Sequence, residues 1–312
     1  MDLSILLGEK IIGLALMGGV GYIIVKMGLL RAADSRPLST VNIFILMPCM
    51  LVNAFQIDYT GSMIKGLALG VVVSIAIHII MILLVYLIRK PLNLNSVEQA
   101  SVIYSNAGNL VIPLVQSVLG PKWVLYTCPY IVVQAFFVWT HGKAMICHEN
   151  KFDIKKVLLN PNIIAIFVGI ILFFTRIKLP MIIGDVVTGF GNVVGPISML
   201  VIGMLMGEVD IKWLFTRKRP YFVSFIRLIF LPLAVIVLMK ISGIAMLHPE
   251  ADQILMIVLM SAMAPIATMV TQIAQVYGGD ATYAGALNVM SVLFCIVTMP
   301  AMLLFYTWLM AL

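Results

Sequence analysis

Uninterrupted apolar runs constrain this chain more than any other feature. Gly66–Ile88 contains no charged residue. A hydrocarbon core about 30 Å thick takes about 20 such residues per helical crossing. Inside lipid, a helix satisfies its own backbone polar groups within the segment. A membrane β-barrel would show short alternating segments instead. With 62% hydrophobic and 11% charged residues and a mean hydropathy of +1.11, the chain lacks the charge to clothe a soluble surface.

Ten such runs can be drawn, at 5–30, 38–57, 62–88, 99–119, 123–146, 158–176, 181–206, 213–240, 250–275 and 282–311. The loops between them are short. The N-terminus lacks the basic leader of a cleaved signal, so the first run is expected to stay in the membrane. The formal charge of +7 points to membrane sidedness and not to nucleic acid, because the basic residues sit almost entirely between apolar runs. With the N-terminus outside, thirteen Lys and Arg, from Lys26 through Arg89, Lys155 and Arg219, fall on the cytoplasmic side. Five fall outside: Lys65, Lys122, Arg176, Lys178 and Lys240. That bias places both termini outside a cytoplasmic membrane. Cys49, Cys128, Cys147 and Cys295 lie far apart with no paired spacing, so neither a disulfide framework nor a metal site is expected.

One offset of 152 residues relates Lys26 to Lys178, Glu98 to Glu250 and Pro113 to Pro265. It suggests two five-helix repeats, 1–157 and 158–312, in one integrated membrane domain. A repeat with an odd number of spans puts its second copy upside down, an arrangement found in secondary transporters. The fourth run is unusually polar, with Ser105, Asn106, Asn109 and Gln116 inside it. The ninth holds Ser261, Pro265, Thr268 and Gln272. Pro113 and Pro265 are expected to break their helices, freeing the carbonyls of Asn109 and Ser261. The half-helices beginning after each proline would then present unpaired N–H groups and partial positive charge at mid-membrane, suited to a carboxylate. Simple proline kinks are the plainer alternative, which the shared offset and the neighbouring asparagines outweigh.

The Ser105-Asn106-Ala107-Gly108-Asn109…Pro113-Leu114 segment resembles the fourth-helix motif of the auxin efflux carrier family. Ala264-Pro265-Ile266-Ala267-Thr268, followed by Tyr277-Gly278-Gly279-Asp280, resembles that family's ninth-helix region. Leu38–Leu51 with Pro48, and Pro161-Asn162, extend the resemblance over essentially the whole chain. One departure is Val111, where the motif commonly has Gly before its Ile-Pro. The family includes the plant PIN carriers and bacterial malate or malonate permeases. The resemblance implies an all-α polytopic protein with ten transmembrane helices, the fourth and ninth broken at a crossover. It also implies elevator-like alternating access and often a homodimer.

The substrate-binding residues expected on these grounds are Ser105, Asn106, Gly108, Asn109, Pro113, Pro265, Thr268 and Gln272, with Arg227 as an outlying member. Arg227, inside the eighth run, could hold a substrate carboxylate, but snorkelling to the cytoplasmic surface or structural pairing is favoured. His78 is read as a packing residue and not a proton relay. Gly66-xxx-Gly70 and Gly203-xxx-Gly207 are read as close helix contacts. No Asp or Glu lies mid-span, so a carboxylate proton relay has no candidate, while proton or sodium coupling by other groups stays open. The expected function is secondary transport of a small organic anion, with no cofactor and no catalytic machinery. The alternatives are a cation-coupled carrier of the bile-acid-symporter type and a transport-dead receptor sensing a ligand in the same cleft.

Overall fold

The structure is a computed structural model describing the backbone of residues 3–58, 61–148, 155, 158–209, 211–244 and 249–311. Side chains of residues 3–11, 62, 109, 113, 116–118, 121, 211, 213 and 311 lie outside the described set. Every named element is helical: α1 (Leu3–Lys26), α2 (Ala32–Ala54), α3 (Gly61–Ile88), α4 (Ser96–Ile103), α5 (Ala107–Val118), α6 (Lys122–Ile146), α7 (Pro161–Thr175), α8 (Met181–Gly207), α9 (Lys218–Ser242), α10 (Ala251–Met263), α11 (Thr268–Tyr277) and α12 (Ala281–Ala311). Counting described residues alone, six of them are long and apolar enough to cross a membrane: α2, α3, α6, α8, α9 and α12. The chain is therefore an all-helical, multi-pass membrane protein.

Local chemistry sets the helix ends. Asn95 and Glu98 open α4 with a reciprocal capping box, the Glu98 N–H donating to Asn95 Oδ1 at 2.9 Å and the Asn95 N–H to Glu98 Oε2 at 3.0 Å. Pro161 occupies the first turn of α7, where its missing N–H costs nothing, and Asn160 caps it. Gly278, at φ +88°, stops α11 in the left-handed conformation that glycine adopts without penalty. Three helices contain a wide π turn, at Asn42–Leu46, Val138–Gly142 and Ile226–Phe230. Such turns are frequent at functional sites, and these three carry Asn42, His141 and Arg227.

Hydrogen bonds and ion pairs gather the helix ends into two faces. On the basic face, Arg219 of α9 grips Glu98 through Nε and Nη2, each at 2.7 Å, and reaches the carbonyls of Leu92 and Asn93. Tyr283 of α12 donates to the same carboxylate at 2.7 Å. Burial pushes the Glu98 carboxyl up, but Arg219, Tyr283 and the Asn95 N–H outweigh it and hold the group below its ordinary range. On the opposite face Lys178 pairs with Asp58 at 2.8 Å.

Glycines set the closest packing. A Cβ at Gly203 of α8 would land on the Gly18 carbonyl oxygen of α1, and one at Gly21 would land on the Leu200 carbonyl oxygen. The α1 and α8 backbones are therefore in direct contact, as the small-residue spacing suggested. Gly66 likewise lets α3 meet Tyr126 at the start of α6.

Candidate functional site

The fourth and ninth runs are each broken, but not both where proline chemistry alone would break them. Pro265 lies in its break, Ala264–Ala267. Pro113 lies inside the continuous helix α5, and the first break is upstream at Tyr104–Asn106. An internal proline deletes one hydrogen bond and can kink a helix, yet it need not interrupt it. The first break is held instead by pairing with the second. Ser105 and Ile266 form an isolated antiparallel β-bridge, with the Asn106 N–H donating to the Pro265 carbonyl at 2.8 Å and the Ala267 N–H to the Tyr104 carbonyl at 3.0 Å. The bridge partners are 161 residues apart, so the 152-residue offset that aligns the prolines does not align the breaks.

Two outward-pointing pairs of backbone groups remain on the bridge, and side chains from flanking spans satisfy them. Gln134 of α6 accepts the Ser105 N–H at 2.9 Å and donates to the Ser105 carbonyl at 2.7 Å, acting as a third strand would. Its Oε1 also accepts the Ser105 hydroxyl at 2.7 Å. On the other edge, Ser291 of α12 accepts the Ile266 N–H at 3.0 Å and Asn288 donates to its carbonyl. Gln134, Asn288 and Ser291 were not among the expected site residues. Their signal in the sequence is simply polar side chains inside long apolar runs, costly in lipid unless paired.

The four helix ends at the bridge separate by sign. Beyond it, the first turns of α5 and α11 line one small cavity of about 40 Å³, through Ser105, Asn106, Gly108, Ala267, Thr268 and Met269. These turns carry N–H groups without intrahelical acceptors and a partial positive charge. A larger cavity of about 590 Å³ abuts this one at Met50, Gly108 and Ile131 and extends past Asn53, Asn192 and Pro196, in the half of the molecule away from the basic face.

The opposite pair of ends, the C-termini of α4 and α10, converges on Arg227. The side chain is fully buried. Nε and Nη2 donate to the Ala264 carbonyl at 3.2 and 2.8 Å, and Nη2 also to Ala262 at 2.6 Å. Nη1 donates to Val102 and Ile103 at 3.1 and 3.4 Å. A guanidinium has five N–H donors, and all five are engaged by these carbonyls. The snorkelling alternative is thus corrected: the side chain never approaches a surface. The side chain pairs with carbonyls at two helix termini, the structural pairing that the sequence favoured beside snorkelling.

The remaining expected residues divide. Ser105, Asn106, Gly108 and Thr268 come together at the small cavity. Pro265 contributes its carbonyl to the bridge. Gln272 does not line that cavity: its Nε2 donates to Ser198 of α8 at 3.2 Å, on the side of the basic face. The side chains of Asn109 and Pro113 lie outside the described residues. Near Gln272, Gln275 binds α2 through Ser35 at 2.6 Å and Ser39 at 2.5 Å, and Asn42 of α2 donates to Ser198 at 2.9 Å. These contacts latch α11 to α2 and α8 toward the basic face, on the side of the bridge opposite the large cavity. His78, buried, donates from Nδ1 to the Ser74 carbonyl and stacks on Phe137 at 5.4 Å, the geometry of a packing residue.

No curated protein matches the sequence closely enough to count as a relative. A family model described as membrane transport protein matches residues 7–152 and 143–303. Those matches cover nearly the entire chain, broken helices included, and the chain accordingly belongs to the membrane transport protein family, that of the auxin efflux carriers.

Proposed function

We propose that this transporter is a secondary carrier for a small organic anion, a carboxylate, working by elevator-like alternating access. The observation that carries the reading is the separation of helix ends at the crossover. Two N-terminal turns share a cavity at Ser105, Asn106, Gly108 and Thr268, while Arg227 occupies the two C-terminal ends. Helix N-termini bind carboxylates with backbone N–H groups and dipole together. Asn109, on the same first turn of α5, is assigned to the site with them. The architecture fits two inverted five-helix repeats, 1–157 and 158–312, because α4–α5 and α10–α11 approach the bridge from opposite faces. The basic face is assigned to the cytoplasm by its charge, which leaves both termini outside, and a homodimer is the assembly expected of the family. Coupling to a proton or sodium ion is left open.

The direct test is uptake into proteoliposomes, screened over dicarboxylates, monocarboxylates and indole acids, with and without imposed proton and sodium gradients. Saturable movement of at least one carboxylate is expected. Transport of neutral or cationic solutes with no carboxylate moved would overturn the proposal.

With the basic face inside, the large cavity faces outward and the Gln275 latch closes the cytoplasmic path. Gln275→Ala removes two neutral hydrogen bonds worth about 1 kcal/mol each, enough to shift an open–closed equilibrium roughly tenfold or more. After replacement of the four native cysteines, a cysteine at the buried Thr271 should react faster with an impermeant thiol reagent in Gln275→Ala. The increase should come from the cytoplasmic side only. An increase from the outer side would reverse the orientation, and no increase from either side would remove the latch.

A further inference from the structure

A second cavity, of about 500 Å³, lies where the basic-face ends of α3, α4 and α6 meet, away from the crossover. Its inner wall is apolar, formed by Ile82, Ile103 and Phe137, and its mouth carries Arg89, Gln99 and His141. Among the described residues no carboxylate pairs with Arg89, whose guanidinium lies 4.1 Å from the Tyr86 ring centroid. His141 turns Nδ1 to the Tyr104 hydroxyl at 2.8 Å, which fixes the ring at the cavity wall.

We propose that this cavity is a binding site for an anionic phospholipid of the leaflet on the basic face, its phosphate at Arg89 and its acyl chains along α3. Three observations support a lipid over a soluble anion. The 28 residues of α3 make a helix about 42 Å long, so its last turns stand at headgroup level beyond a 30 Å core. The α3 surface beside the mouth is apolar and open, with Leu83 and Leu87 56% and 68% exposed, which gives the chains a lateral path. The charge sits at one end of an apolar sleeve, the amphipathic order of a phospholipid, and basic pockets between membrane helices bind such headgroups. The site rests on the membrane-spanning fold and not on the transport reading. Bound there, the lipid would touch α4 and α6, the two helices that supply Ser105 and Gln134 with their positions.

The test is lipid retention by the delipidated protein in detergent, read by native mass spectrometry. Phosphatidylglycerol and phosphatidylcholine with identical chains are offered in equal amounts. A single cation at the headgroup is expected to favour phosphatidylglycerol by about fivefold. Arg89→Gln should abolish the preference and Arg89→Lys should keep most of it. Ala144→Phe, which narrows the cavity from α6 without changing charge, should reduce retention of both lipids. Lys122→Gln, on the opposite face, should change nothing and shows that the effect is local. An equal preference in wild type and Arg89→Gln would overturn the site. So would displacement of the bound lipid by millimolar inorganic phosphate, which would identify a soluble-anion site instead.

Discussion

Arg227→Lys should lower thermal stability in detergent sharply, even with no substrate present. The native guanidinium satisfies carbonyls of Val102, Ile103, Ala262 and Ala264, two from each broken helix. Lysine keeps the charge but offers three donors on a compact ammonium, which cannot span both helix ends as a planar fork does. Two or more buried carbonyls would then lose their donors, at about 1–3 kcal/mol each. Arg227→Met should be worse, leaving all four without a partner and preventing recovery of monodisperse protein. The measurement is a melting curve of each purified variant beside wild type. If Arg227→Lys melts like wild type yet binds the proposed carboxylate substrate more weakly, the side chain belongs to the substrate after all and the clamp is wrong.

The second large effect is steric. Gly203→Leu should prevent α1 and α8 from meeting, because even its Cβ would occupy the position of the Gly18 carbonyl oxygen. Backbone cannot yield as a flexible side chain does. Overpacking a close contact costs about 1–3 kcal/mol when neighbours can shift and more when they cannot. Gly189→Leu is the matched control, since a Cβ there has nothing within 4 Å on the same helix. The expected result is near-normal yield and melting for Gly189→Leu and little or no folded Gly203→Leu. Equal behaviour of the two would mean that α1 and α8 are separable, contrary to their packing.

Much of the architecture was legible because lipid removes alternatives. Runs of apolar residues without charge have only one way to satisfy their backbones, and the helices fall within a few residues of most expected edges. The fourth and ninth runs announced themselves through Asn106, Pro265 and Thr268, polar or irregular residues where hydrocarbon tolerates neither. The exact break at Tyr104–Asn106 was not legible. It arises from pairing with residues 161 positions away and from Gln134, and neither leaves a local mark on the chain. Pro113 drew the expectation because its effect on a helix is local and strong, whereas the bridge is long-range and made of backbone. For Arg227 structural pairing was anticipated as one of two readings, but its partners were not, for a related reason. A lone cation in an apolar run signals that something must compensate it, but backbone carbonyls as partners have no sequence signature. Nor do the π turns that carry Asn42, His141 and Arg227, since each depends on how a helix accommodates its neighbours.

The sorting of helix ends at the bridge has an electrical consequence. Each helix terminus behaves as roughly half an elementary charge. The C-terminal ends of α4 and α10 together approximate one negative charge, which Arg227 cancels. The N-terminal ends of α5 and α11 then leave the empty crossover with about one net positive charge. A monoanion bound there, as proposed, would neutralise it. In an elevator cycle the loaded site would therefore cross the membrane field without electrical work, while the empty site would carry its charge through it, at about 2.3 kcal/mol per 100 mV. In a cell with a negative interior, voltage would pull the empty site inward and resist its return outward. If the proposed elevator cycle and anionic substrate hold, the resting half of the cycle would rectify transport, favouring expulsion of an anion and opposing its import.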